Sequence, residues 1–156
     1  MRIHLLAVGN RMPDWVDAGY EEYAKRMPRE CSLVLREVAP GKRGRNADVP
    51  RIRDEEGERL LAALGRDEHI VALDVTGKPW STEELAADLG RWLQQGQDVA
   101  LLVGGPDGLS AAVLQRAHSL RSLSRMTFPH PLVRVILAEQ IYRAMTILSG
   151  HPYHRG

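Results

Sequence analysis

The sequence predicts a three-layer α/β domain built on a mainly parallel sheet. Short apolar runs alternate along the chain with longer stretches of helical periodicity, the pattern of strand, crossover helix and next strand. One run, residues 99–104 ("VALLVG"), is apolar without interruption, as a central strand covered on both faces must be. The chain has 156 residues, 44% of them hydrophobic, which suffices for one sizeable core and a single domain over 1–156. It shows no internal repeat, linker or low-complexity stretch.

The elements follow in order. Residues 3–8 ("IHLLAV") read as a strand, and Pro13 opens a helix through about Met27. "SLVLREV" (32–38) is a second strand. After a basic loop, Asp48 caps a helix with Pro50 in its first turn, running to Leu64 and stopped by Gly65. "HIVALDV" (69–75) is a third strand, followed by a "TGKP" turn. Ser81 and Glu84 then form a capping box for a helix through about Gln95. The strand 99–104 leads through glycines to a short helix capped by Ser110, and 123–128 reads as a weak strand. The last helix spans about 131–148. It is apolar nearly all round, so it needs cover on several sides, and a second subunit in a C2 dimer supplies that cover most simply.

Composition excludes several classes. The single cysteine, Cys31, lies in an apolar run and reads as a buried thiol; no disulfide within the chain is possible. The apolar run after Met1 is too short for a signal-peptide core or a membrane span, so the expectation is a soluble cytoplasmic protein. G-x-G-x-x-G, the P-loop pattern and a G-x-S-x-G elbow are absent, and the histidines lack the spacing of a metal site.

Four segments carry candidate chemistry. Net charge is only +1, yet "PGKRGR" gathers Lys42, Arg43 and Arg45 on a glycine-flexible segment. This is either a solvated surface turn or a phosphate-binding loop. "LLVGGPDGLS" places Gly104, Gly105 and Gly108 just past the buried strand, where ligands of open α/β sheets bind. The same glycines also suit a tight turn that needs positive φ. The tail "SGHPYHRG" concentrates an imidazole, a phenol and a guanidinium in Tyr153, His154 and Arg155. On the last helix, Glu139 and Arg143 form either an i,i+4 pair or the floor of a site.

Taken together, "VGNRMPDWV", "GKRGRNAD", "LDVTGKPWSTEELA", "LLVGGPDGLS", "LSRMTFPHPLVRVILAEQIYRA" and "HPYHR" resemble one family along essentially the whole chain. The family is that of the bacterial large-subunit ribosomal RNA pseudouridine N3-methyltransferases, small members of the SPOUT class. Gly156 departs from its pattern, which has a charged or polar residue there. The resemblance implies a deep C-terminal trefoil knot and an obligate homodimer. It implies S-adenosyl-methionine as cofactor, gripped through backbone at Leu73, Gly104, Gly105, Leu123, Ser124, Arg125, Met126, Thr127 and Phe128. It further implies a substrate in 23S ribosomal RNA of the assembled ribosome, contacted by Lys42, Arg43, Arg45 and Arg143. The tail then becomes a catalytic flap, with His154 as candidate base and Arg155 and Tyr153 stabilising charge, completing the partner subunit's site. Two rival readings are a ribosome-binding factor without catalysis and a SPOUT methyltransferase of another ribosomal or transfer RNA site.

Overall fold

The computed structural model describes residues 1–155; Gly156, the departure noted above, lies outside the described residues. The five strands are β1 (Arg2–Val8), β2 (Ser32–Val38), β3 (His69–Pro79), β4 (Val99–Val103) and β5 (Ser119–Ser122). They form one sheet in the order β2-β1-β4-β3-β5, and every neighbouring pair is parallel. The uninterrupted apolar strand is the middle one, buried along its whole length.

Parallel strands need crossovers, and these are α1 (Asp14–Ala24), α2 (Val49–Ala62), α3 (Thr82–Gln95) and α4 (Ala111–Arg116); α5 (His130–Ser149) closes the fold. Alternation along the strands sends side chains to two separate cores. Ile3, Leu5, Val99 and Leu101 pack beneath α1, α3 and α5, with Tyr20, Leu89, Trp92, Leu137 and Ile141. Leu6, Val8, Ala100 and Leu102 face Leu60 and Val113 of α2 and α4. Helix α5 lies on the sheet and contacts both α1 and α3, so much of its all-round apolar surface finds cover within its own chain.

Caps form where the side chains require them. Asp48 accepts from the Arg51 N–H, and Ser81 and Glu84 make the reciprocal capping box. Cys31 is fully buried, and burial pushes its thiol up to about 11. Among the described residues no helix is long and apolar enough to cross a membrane.

Several expectations need correction. The final strand is not 123–128 but Ser119–Ser122, a short edge strand paired to β3. The later run is held by its own serines: Ser124 Oγ accepts from the Met126 N–H, and Ser122 Oγ donates to the Ser124 carbonyl. Such local bonds compete with a ladder. The "TGKP" turn is instead an irregularity inside β3, whose pairing with β5 shifts register between Leu73 and Lys78. Helix α1 ends at Ala24 rather than Met27. Helix α2 ends at Ala62, capped by Ala63 in right-handed geometry, so Gly65 is not its stop signal.

One glycine fixes how the second layer packs. Gly57, inside α2, faces the cap of α4: a Cβ there would stand 2.9 Å from Ser110 Cβ and nearer still to its hydroxyl. Helix propensity alone favours Gly→Ala by about 1 kcal/mol. Overpacking against a backbone-proximal atom costs about 1–3 kcal/mol and also disturbs the α4 cap. Gly57→Ala is therefore expected to lower the unfolding free energy by about 1 kcal/mol. A rise in denaturation midpoint would show that α4 moves away freely.

Candidate active site

The carboxyl ends of β3 and β4 open into a cavity of about 660 Å³. Its floor is the turn that leaves β4, and its far wall is the irregular segment that leads into α5. The β3 irregularity shapes the mouth: Asp74 accepts from the Thr76 N–H and swings 74–77 out of the ladder, placing Asp74 and Val75 at the rim. Ladder pairing resumes at Lys78, opposite Arg121.

The floor is built by backbone against backbone. A Cβ on Gly104 would lie 2.6 Å from the Gly108 carbonyl carbon, and Gly108 has φ +78. The Gly108 N–H donates to the Gly105 carbonyl at 3.1 Å. The turn thus needs its glycines to close, and it lies on the cavity. Gly105 needs separate treatment. Its missing Cβ points at Val8 Cγ1 (3.1 Å) and Glu56 Oε1 (3.5 Å), so packing beneath the turn explains this glycine.

Of the residues expected to hold the cofactor, all but Arg125 line the cavity; Arg125 is exposed beside it. The walls at Leu73, Val103, Leu123, Phe128 and Val133 are apolar, whereas polar capacity comes from backbone, from Asp74 and Asp107, and from Ser124, Thr127 and His130. A cavity of this size, apolar with few polar groups, accommodates a nucleoside with an amino-acid arm. The donor set therefore fits S-adenosyl-methionine.

Residue reading missed His130, Asp74 and Asp107. His130 starts α5 from the cavity wall, between two prolines that read as a mere connector. The only available signal was an ionisable group at a helix start beside a glycine turn. Its Nδ1 is buried and has no hydrogen-bond partner. Burial first, then the cations of Arg134 and Arg43, hold the imidazole below its ordinary 6.5. Arg134, 1% exposed, fixes this end of α5 by donating to the Gly9 carbonyl (2.8 Å) and Glu37 (2.6 Å).

The expected catalytic tail forms a 3₁₀ turn, Pro152–Arg155, folded back onto the other end of α5. Tyr153 Oη donates to Glu139 Oε2 at 2.8 Å, Arg143 lies over the Tyr153 ring, and Tyr142 meets that ring edge-on. Burial, then the Glu139 bond, raises the phenol well above its ordinary range, so it stays protonated and donates. Burial pushes the Glu139 carboxyl up, but bonds from Arg143, Tyr153 and Gln140 outweigh it and the net shift is downward. His154 is half-buried, with its carbonyl facing Arg143 and its Nδ1 unpartnered. Glu139 and Arg143 are thus both an i,i+4 pair and the seat of the tail. Arg155 is exposed.

The basic loop divides. Lys42 and Arg45 are exposed, but the Arg43 guanidinium is held by Glu56 and Asp107. Arg143 is likewise bound to Glu139.

A parallel sheet with an open cavity at its carboxyl edge, a glycine floor and a helix beside it is the architecture of a ligand-binding α/β protein. Residues 1–154 match the family model described as "Predicted SPOUT methyltransferase", and the chain belongs to that family. It is 67% identical over 155 residues to a protein of Methylococcus capsulatus named "Ribosomal RNA large subunit methyltransferase H", covering 99% of this chain and 100% of that one. A protein of the same name from Chromohalobacter salexigens is 58% identical with the same coverage. Among solved structures, a probable methyltransferase from Bordetella pertussis Tohama I is 17% identical, with TM-score 0.57, covering 92% of this chain and 95% of that one. A probable methylase family protein from Haemophilus influenzae Rd KW20 also gives 0.57 at 11% identity, covering 97% and 69%. At those identities the likeness establishes the fold.

The depressed imidazole has a consequence for stability. Burial, with the neighbouring His118, also lowers His69. A histidine whose folded-state pKa lies below its unfolded value has no effect well above about 6.5. Below that, the unfolded chain takes up the proton more readily and the fold loses stability until the folded pKa is passed. Urea unfolding is expected to show stability falling from about pH 7 to about pH 5.5. His130→Asn should make that fall shallower; an unchanged slope would mean that His130 does not contribute.

Proposed function

We propose that this protein transfers a methyl group from S-adenosyl-methionine to N3 of a pseudouridine in 23S ribosomal RNA of the assembled ribosome, acting as a homodimer. The observation that carries the reading is the cavity at the β3–β4 edge, lined by backbone and glycine at the positions expected to hold the cofactor. The relatives at 67% and 58% identity, each named as a large-subunit ribosomal RNA methyltransferase, support the substrate class. The family also supports the knotted C-terminal segment and the single domain over 1–156.

In this reading Leu73, the Gly104–Gly105 backbone and the 123–128 segment hold the cofactor, which when bound supplies an electrophilic methyl on a sulfonium. What remains for the chain itself is alignment and proton removal. N3 of the target base starts as an imide N–H, and its charge spreads onto two carbonyl oxygens as the proton leaves. His154 is the proposed base, with Arg155, and Tyr153 once its hydroxyl turns from Glu139, facing the oxygens or an adjacent phosphate.

Geometry supports action in trans. His130 borders the cavity and Arg143 seats the tail, yet they stand thirteen residues apart on α5, about 20 Å of helix rise. A tail seated there serves a neighbouring chain's cavity more readily than its own. The half-buried apolar residues left on α5, such as Ile136, and exposed Leu148 fit a subunit contact.

Truncation after Gly150 leaves the cavity walls in place. Cofactor binding by titration calorimetry should survive, while methylation of ribosomes lacking the modification, mapped by mass spectrometry, should fall by at least about 100-fold. Gly104→Val should abolish cofactor binding, because its side chain would strike the Gly108 backbone. Heterodimers of the two inactive variants should regain one working site, since the truncated chain keeps its cavity and receives the other's tail. Verified heterodimers that stay inactive, with both chains folded, exclude the trans arrangement.

A further inference from the structure

Two carboxylates, one from α2 and one from the glycine turn, converge on Arg43. Glu56 of α2 is 1% exposed, and its oxygens take the two terminal nitrogens of Arg43 at 2.8 and 3.1 Å. The Gly41 N–H donates to the same carboxylate at 2.9 Å. Asp107, in the glycine turn and on the cavity wall, accepts from Arg43 Nε at 2.9 Å. Glu56 also lies directly under that turn, 3.5 Å from where a Gly105 Cβ would be. One planar guanidinium therefore joins the basic loop, α2 and the cavity floor. A lysine carries the charge but lacks the fork needed to engage both acids at once.

The exposed cations Lys42 and Arg45 flank this clamp on the same loop. Their side chains are free to meet phosphate, whereas that of Arg43 is committed inward. We propose that Arg43 is a positioning residue, fixing the glycine turn in its ligand-receiving shape and aligning Lys42 and Arg45 against it, and that it contacts no RNA phosphate itself. The inference rests on the reading of the cavity as a cofactor site. It also explains Asp107, because the acidic residue of "GGPDG" ties the floor to the loop. Ligand at the turn and RNA at the loop then meet one assembly whose geometry a single side chain sets.

The test separates two readouts: affinity for S-adenosyl-homocysteine by titration calorimetry, and the salt dependence of ribosome binding. Arg43→Ala should weaken S-adenosyl-homocysteine about tenfold, within the range usual for coupled sites, and leave the log–log salt slope at the wild-type value. Arg43→Lys should recover only part of that affinity. The Arg43→Ala/Asp107→Asn double variant should be no weaker than the worse single variant, because one acts through the other. Lys42→Ala/Arg45→Ala should do the reverse, lowering the slope by roughly 0.7–0.9 for each phosphate no longer neutralised, with S-adenosyl-homocysteine affinity unchanged.

Arg43→Ala also leaves Glu56 buried without its cation, so Arg43→Ala/Glu56→Gln removes that charge as a control. If this variant regains full affinity, the loss came from the stranded carboxylate and the positioning role is overturned. Wild-type affinity in Arg43→Ala together with a reduced salt slope overturns it too, returning Arg43 to the phosphate contacts. A wild-type chain that binds no S-adenosyl-homocysteine overturns the reading of the cavity, and the inference with it.

Discussion

The cavity edge of the sheet depends on a buried guanidinium at the start of α5. Arg134 is almost fully enclosed and bonds to the Gly9 carbonyl, just past the end of β1, and to Glu37 near the end of β2. A charge taken out of water is tolerated only when such partners are in place. Their positions therefore fix where α5 begins, and with it the cavity wall carried by 123–130. The same cation helps keep the adjacent His130 neutral. Fold and site electrostatics meet in one side chain.

A second network braces the cavity floor. Arg43, Glu56 and Asp107 join loop, helix and glycine turn. Two arginine-centred assemblies thus border the cavity, and both cations act on His130 in its wall. Neither assembly is part of the apolar pattern that defines the strands and helices. Both are long-range: Arg134 reaches back 97 residues to Glu37, and Arg43 forward 64 to Asp107.

That distinction explains how much was legible in the sequence. Strands β1, β2, β3 and β4 announce themselves by apolar runs, and α2, α3 and α4 by caps, since burial and capping are local consequences of residue type. Strand β5 is not apolar, because an edge strand is only half covered; the more apolar run after it is drawn out of the ladder by its own serine bonds. The site separates in the same way. The glycine turn was visible because a close backbone approach demands glycine. The roles of Arg43 and Arg134 were not, since a basic residue looks alike in sequence whether it meets solvent or a distant carboxylate. The cofactor positions came from resemblance to a family, which conveys spatial neighbourhoods that periodicity does not.

Helix α5 is the middle helix of one face and is made after all five strands. On the ribosome the sheet strands emerge first, and at about 5–20 residues per second the twenty residues of α5 take about 1–4 s to follow. Until they do, Ile3, Leu5, Val99 and Leu101 lack their central cover. The nascent chain therefore passes through a stage with one layer closed by α2 and α4 and the other open. Completion of that second core waits until α5 has been made.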